Sequence, residues 1–509
     1  MREKKGRERL FINIVASIVA TIVGLGLAFL LTPYLVKAIG KETYAFYPIA
    51  NNLVTYFTII VTAFNALASR FITIEIARKN QDKAQEYCSS VLLTNIILAL
   101  LFLMPMSIIV FYAESLFNIS SSDVINIKWL FGLVFAGMLI NIIGSIYGVA
   151  TFVKERIDLR SYQQLAVSLI RGILYIMLFT FFKPNIIFIG VVTLFESIFN
   201  FVVNFWWTKK LIPDIKIKFS YANLRAVKEL LFSGIWSSIS SLGSNLLSGL
   251  TLVFSNIIFG AVASGTLSIA QTLPSLCTTI LTMMINVFYP RLTNQYAVSG
   301  KKGLTSETYV SERIMSVIIS VPIVLLIGMG YEFFLLWMPG ENAKELQIAS
   351  IIYLFPYVIQ ANMWTLTQVF PVMNKVKLPA LVMVVLGITN VCLCYAIPKI
   401  ATVSFFVIPL ISTVLNLLYC LVFVPICVSK YLESSPWNYY KHIIRSTIAT
   451  AATLLTTWMI KKCISCSTWI GFVLCGCVCA LIGYAIFTLL ILEKKDRNKM
   501  KCFLLNKKV

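Results

Sequence analysis

Charge is scarce in this chain and histidine is nearly missing. Charged residues fill 13% of the 509 positions, and the one histidine is His442. A water-soluble globule carries about a quarter charged residues, so a soluble fold is excluded. No GxxxxGK[ST] phosphate loop occurs, which excludes a resident ATPase. No Ser/His/Asp set is present, external carboxylates do not cluster, and His442 lies in a basic segment. No connecting segment is long enough to form a soluble domain. An enzyme acting on lipid-linked sugars outside the membrane would need a substantial external loop, so a non-enzymatic role is expected.

What is abundant is apolar surface: hydrophobic residues make up 59% of the chain. It falls into long runs at 10–36, 43–68, 88–112, 127–152, 161–182, 185–207, 232–258, 262–288, 310–336, 346–372, 378–396, 400–427, 443–460 and 468–492. About 20 apolar residues span a bilayer as one helix. The pattern predicts an all-α integral membrane protein with about fourteen transmembrane helices, numbered here as spans 1 to 14. The N-terminal run is too long for a signal peptide and has no small-x-small cleavage site, so it reads as a retained helix.

The basic residues alternate across these spans. With the span-end residues Lys128, Arg313 and Arg445 counted with their adjacent loops, 34 of the 43 Lys and Arg fall on the side that holds both tails, 8 on the other side, and Arg171 lies deep inside a span. Basic loops stay cytoplasmic, so both termini and the 208–231 loop are expected inside a plasma membrane. The net charge of +22 therefore reflects orientation and anionic lipid headgroups, not nucleic acid. The end of the 208–231 loop reads as a short interfacial amphipathic helix, with Leu224, Val227 and Leu231 on one face and Arg225 and Lys228 on the other.

A shift of 220 residues aligns two halves. Asn13, Ser17, Thr21 and Gly24 meet Ser233, Ser237, Ser241 and Ser244, each set on one helix face. Gly40, Ile49, Ala50, Leu53, Thr58, Ile60 and Thr62 meet identical residues, and Asn51 meets Gln271. Six spans lie within the offset, so both copies share one orientation, as in transporters built from parallel repeats. The expected organisation is an N-lobe at 1–207, the loop 208–231, a C-lobe at 232–428, and two further helices with a basic tail at 429–509.

Arg171 and Glu196 are the two ionisable side chains in mid-span. Each is about 15 Å deep at 1.5 Å per residue, on sequential antiparallel spans, so they can meet. A charge at that depth costs at least about 2.5–3.5 kcal/mol, which pairing offsets in part. Two readings stand: a neutralised pair that fixes the packing of spans 5 and 6, or a switch in which Arg171 attracts an anionic headgroup and Glu196 handles a coupling ion. Asn51, Asn52, Asn65, Ser237, Ser241, Asn245, Gln271 and Asn286 could line a polar lumen that binds sugar hydroxyls, or bond between helices. Twelve cysteines read mainly as small hydrophobes. Cys463 and Cys466 form a CxxC with no second pair and no nearby histidine, so no metal site is expected.

The segment Pro33-Tyr-Leu-Val-Lys-Ala-Ile-Gly40-Lys-Glu-Thr-Tyr44-Ala-Phe-Tyr-Pro-Ile-Ala-Asn-Asn resembles the opening of polysaccharide-export flippases of the multidrug/oligosaccharidyl-lipid/polysaccharide (MOP) exporter superfamily. Those chains end their first helix in a Leu-Gly-x-x-x-Tyr-Gly-like turn. Ile39, Gly40 and Tyr44 match, while Ala45 stands in place of the second glycine. The resemblance covers the whole chain in length, lobes and loops. It implies translocation of an undecaprenyl-diphosphate-linked oligosaccharide to the outer leaflet by alternating access. Membrane lipids and other polysaccharide-assembly proteins are the implied partners. No cofactor is implied beyond a coupling ion, proton or sodium. Relatives that flip the peptidoglycan precursor carry arginines within spans 1, 2 and 8. Here Arg70 and Arg291 lie at the cytoplasmic ends of spans 2 and 8, as gate cations, which disfavours that role. Drug exporters of the superfamily usually have twelve helices, which leaves a drug or small-solute exporter as the alternative. A membrane glycosyltransferase or polymerase, or a non-transporting scaffold, ranks below it. The loop ARKNQDKAQEY lacks the Gly-x-x-x-Asp-Arg of the major-facilitator class.

Overall fold

Backbone polar groups in a bilayer can be satisfied within a single segment only by an α-helix, and a chain this apolar has little other choice. The computed structural model describes residues 2–493 apart from 79, 121, 155 and 216. Every regular element among them is helical. The protein is a multi-pass membrane protein.

The main helices are α1 (Arg2–Ile39), α2 (Phe46–Ala77), α3 (Gln81–Phe111), α4 (Val124–Gly144), α5 (Ile157–Phe181), α6 (Ile187–Leu211), α7 (Leu224–Ser248), α8 (Thr251–Phe259) and α9 (Ala261–Ala270). They continue with α10 (Thr272–Trp337), α11 (Ala343–Thr367), α12 (Lys377–Ile400), α13 (Val407–Leu418), α14 (Val424–Leu432), α15 (Trp437–Cys463) and α16 (Trp469–Ile491). Twelve helical segments among the described residues are long and apolar enough to cross a membrane. Two stretches read from the sequence as spans are not among the twelve. The stretch 43–68 lies mainly on α2, and 262–288 lies on α9 and the start of α10. The 66-residue α10 is two helices joined at Gly300, whose φ of 60° and ψ of −148° suit only a residue without a Cβ.

The 220-residue offset has a backbone counterpart. Gly40 (φ 80°) follows α1 and Gly260 (φ 88°) follows α8. Each is a positive-φ residue directly after a helix. That conformation is why glycine recurs there.

The chain divides into two compact units, one of residues 1–245 with 252–265, the other of residues 246–251 with 266–509. In the first, α4 and α6 approach closely because small residues stand between them. A Cβ on Gly137 would come 2.8 Å from Ser197 Oγ, and one on Gly144 would come 2.7 Å from Phe201 Cδ2. The same unit holds an asparagine clasp. The Asn118 backbone N–H donates to Asn256 Oδ1 at 3.0 Å, and Asn118 Nδ2 donates to the Asn256 carbonyl at 2.7 Å. Asn256 is fully buried.

In the second unit, α10 supplies the core against α11, α15 and α16, through Met315, Ile319 and Ile323 on one side and Val317, Val321 and Val324 on another. Polar staples cross it. Ser316 donates to Asn362 Oδ1 at 2.5 Å, Gln360 to Asn416 at 2.8 Å, and Lys461 pairs with Glu332 at 2.6 Å. Arg313 pairs with Glu493. Asn342 caps α11, its side chain accepting from the N–H groups of Lys344 and Glu345.

Candidate functional site

The two mid-span charges meet. Arg171 on α5 donates through Nε to Glu196 Oε1 at 2.5 Å and through Nη2 to Oε2 at 2.6 Å. This is the two-pronged geometry in which guanidinium and carboxylate match best. The Glu196 side chain is 10% exposed and that of Arg171 37%. The arrangement fits a clamp between sequential helices: both carboxylate oxygens already face the guanidinium.

The expected polar residues divide between the units. Asn51, Asn52, Asn65, Ser241 and Asn245 belong to the first; Gln271, Asn286 and Arg291 belong to the second. The side chains of Arg70, Ser237 and Asn286 lie outside the described residues. Asn51 Nδ2 donates to the Tyr47 carbonyl at 3.2 Å, and Asn245 Nδ2 to the Ser241 carbonyl at 2.9 Å. Both amides thus bond the preceding turn of their own helix. Tyr56 Oη donates to the Asn245 carbonyl at 2.5 Å. Gln271 and Asn52 are half-buried, and Arg291 is exposed.

Asn65 leads to a site that the sequence reading missed. It lines a cavity of about 870 Å³ in the first unit, enclosed by α2, α4 with the short helical turns that follow it, α5 and α6. Polar residues come from four faces: Thr58, Thr62, Asn65 and Ser69; Asn141, Ser145 and Thr151; Arg160, Gln163 and Gln164; Asn200 and Asn204. Thr58, Thr62, Asn65 and Ser69 on α2, Asn141 and Ser145, Arg160 and Gln164 on α5, and Asn200 and Asn204 on α6 recur at spacings of three or four, which aligns each set on one side. Part of the lining is locked. Asn65 Nδ2 donates to Ser145 Oγ at 2.8 Å, Asn95 Nδ2 to the same oxygen at 3.0 Å, and Gln163 Nε2 to Asn200 Oδ1 at 2.8 Å. Asn141 Nδ2 donates to Ser197 Oγ at 2.9 Å. Among the described residues, the side chains of Arg160, Gln164 and Asn204 have no hydrogen-bond or ion-pair partner. Arg160 is, among the described residues, the cavity's one charged lining residue, and no carboxylate among them lines it. The signal in the sequence is the polar set Arg160, Gln163 and Gln164 at the start of α5, at the edge of the apolar run 161–182.

Family comparison fits this site into a context. The model of the family described as polysaccharide biosynthesis protein matches residues 10–296. The chain belongs to that family. It is 25% identical over 494 residues, 96% of each chain, to the uncharacterized membrane protein EpsK of Bacillus subtilis (strain 168). Among solved structures it is similar to the lipid II flippase MurJ in an inward closed conformation, with a TM-score of 0.65 at 13% identity over 94% of this chain and 99% of that one. An inward-facing multidrug resistance MATE family transporter of the MOP superfamily gives a TM-score of 0.66 at 13% identity over 84% and 99%. The fold is similar to that of these two transporters, in line with the resemblance at the Gly40–Tyr44 turn.

Proposed function

We propose that this protein is a plasma-membrane flippase that carries an undecaprenyl-diphosphate-linked oligosaccharide from the cytoplasmic to the outer leaflet for surface polysaccharide synthesis. It works by alternating access, with both termini in the cytoplasm, and draws on a proton or sodium gradient. The observation that carries this reading is a cavity walled by amides and hydroxyls within apolar helices, in a member of the polysaccharide biosynthesis protein family. Buried polar groups are costly unless they have partners. An amide-lined chamber in a membrane helix bundle therefore favours a polar cargo, and sugar hydroxyls match amides as both donors and acceptors.

The likeness to a multidrug transporter supports a second reading, a drug or small-solute exporter. The lining argues against a cationic drug, because among the described residues no carboxylate faces the chamber and Arg160 does. Removing the gene separates the two. The flippase reading expects lipid-linked oligosaccharide to accumulate in the inner leaflet and the surface polymer to fall. Unchanged surface polymer together with lost drug tolerance would replace it with the exporter reading.

A further inference from the structure

We infer that the chamber in the first unit binds the saccharide end of the cargo together with one negatively charged group on it, and that Arg160 is the residue that holds that group. This inference rests on the flippase reading and adds the chemistry of recognition.

Size comes first. A cavity of about 870 Å³ lies within the range of roughly 300–1,000 Å³ that holds organic ligands, far more than an ion or a few waters need. Its chemistry comes second. Six amide side chains and five hydroxyls line it beside Val61, Ile142, Val149, Val167 and two aromatic rings, Phe152 and Phe201, a mixed wall that suits a ligand with both hydrogen-bonding groups and apolar faces, as a sugar ring has. A primary amide presents donors and acceptors together, the pattern that sugar hydroxyls and acetamido groups complement.

The third point is the division of labour within the lining. Gln163 and Asn200 hold each other, and Asn65 is held by Ser145, so these side chains form a fixed wall. Arg160, Gln164 and Asn204 carry hydrogen-bonding capacity that no described residue uses. Arg160 and Gln164 sit four apart on α5, so they lie on one face. Arg160 is exposed and, among the described residues, its guanidinium has no partner acid and the cavity no lining carboxylate; such a group creates a positive field that an anion relieves. Its planar fork suits phosphate and carboxylate oxygens alike. The diphosphate of the lipid linkage and an acidic sugar share this chemistry.

The test uses the full-length protein in nanodiscs and three probes. They are undecaprenyl-diphosphate-N-acetylglucosamine, the neutral disaccharide N,N′-diacetylchitobiose, and a uronate-bearing disaccharide. Membrane abundance and size-exclusion profile establish that each variant is folded. If the anion is the diphosphate, Arg160→Gln weakens the lipid-linked probe roughly tenfold or more, as expected for loss of a charged hydrogen bond. It leaves N,N′-diacetylchitobiose unchanged, and Arg160→Lys recovers part of the loss. If the anion is an acidic sugar, the uronate probe takes that loss and the lipid-linked probe does not. In either case Gln164→Leu weakens the sugar probes. Unaltered binding of all three probes in Arg160→Gln and Gln164→Leu overturns the inference, as does a wild type that binds none of them. Loss of surface polymer on gene removal stands apart from these outcomes. A deletion that spares the polymer overturns the flippase reading even if the chamber binds sugar.

Discussion

Breaking the Arg171–Glu196 pair should destabilise the first unit by an amount set by its geometry. Both bonds of the fork are made, at 2.5 and 2.6 Å, and the carboxylate side chain is 10% exposed. Removing one partner of such a pair leaves a charge alone in a poor solvent, at a cost of about 3–5 kcal/mol. For a cooperative unit of roughly 150–250 residues each kcal/mol lowers Tm by about 2–4 °C. Arg171→Ala should therefore lower the Tm of the detergent-solubilised protein by roughly 6 °C or more. Arg171→Lys should fall between, because an ammonium cannot reproduce the two parallel bonds. The double exchange Arg171→Glu with Glu196→Arg restores charge balance at the same depth, so it should recover most of the lost Tm and the surface polymer. The assay is thermal unfolding followed by size-exclusion fluorescence, with surface polymer measured at matched membrane abundance. If Arg171→Ala kept wild-type Tm, abundance and polymer, the pair would be neither a clamp nor part of a site. If the exchange restored Tm but not polymer, Arg171 would act on cargo and the clamp account would fail.

Two other outcomes test the fold. Asn256→Ala removes the oxygen that accepts from the Asn118 N–H at 3.0 Å; Asn118 is exposed, so the loss costs about 0.5–1.5 kcal/mol, read as a lowered Tm, and an unchanged Tm would refute the clasp. Cysteine labelling should place both termini and the 208–231 loop inside and the segments around Asn118 and Lys344 outside; termini on opposite sides would contradict the charge-based orientation.

Much of the architecture was legible in the sequence because the bilayer imposes it. Apolar runs must be helices, and mid-span charges must find each other. Arg171 and Glu196 could therefore be paired from depth alone. Gly40 was legible as a turn, and Gly260, 220 residues on, shares its positive φ. The cavity was hidden for a different reason. Its wall is assembled from four helices whose register against one another no local pattern reveals, and Arg160 stands three residues into α5, where it looks like loop charge. Asn51 and Asn245 misled in the opposite way. Both are conspicuous mid-helix amides, yet each bonds the previous turn of its own helix, a local alternative that a sequence leaves open.

The central claim is translocation of lipid-linked sugar, and reconstitution tests it directly. Purified protein is placed in liposomes that contain undecaprenyl-diphosphate-linked oligosaccharide, and a membrane-impermeant lectin or glycosidase reports the fraction of sugar exposed outside over time. The account predicts that this fraction rises beyond that of protein-free liposomes, and that Arg160→Gln slows the rise at equal protein content. A rate equal to that of protein-free liposomes, under imposed proton and sodium gradients of either direction, would contradict it.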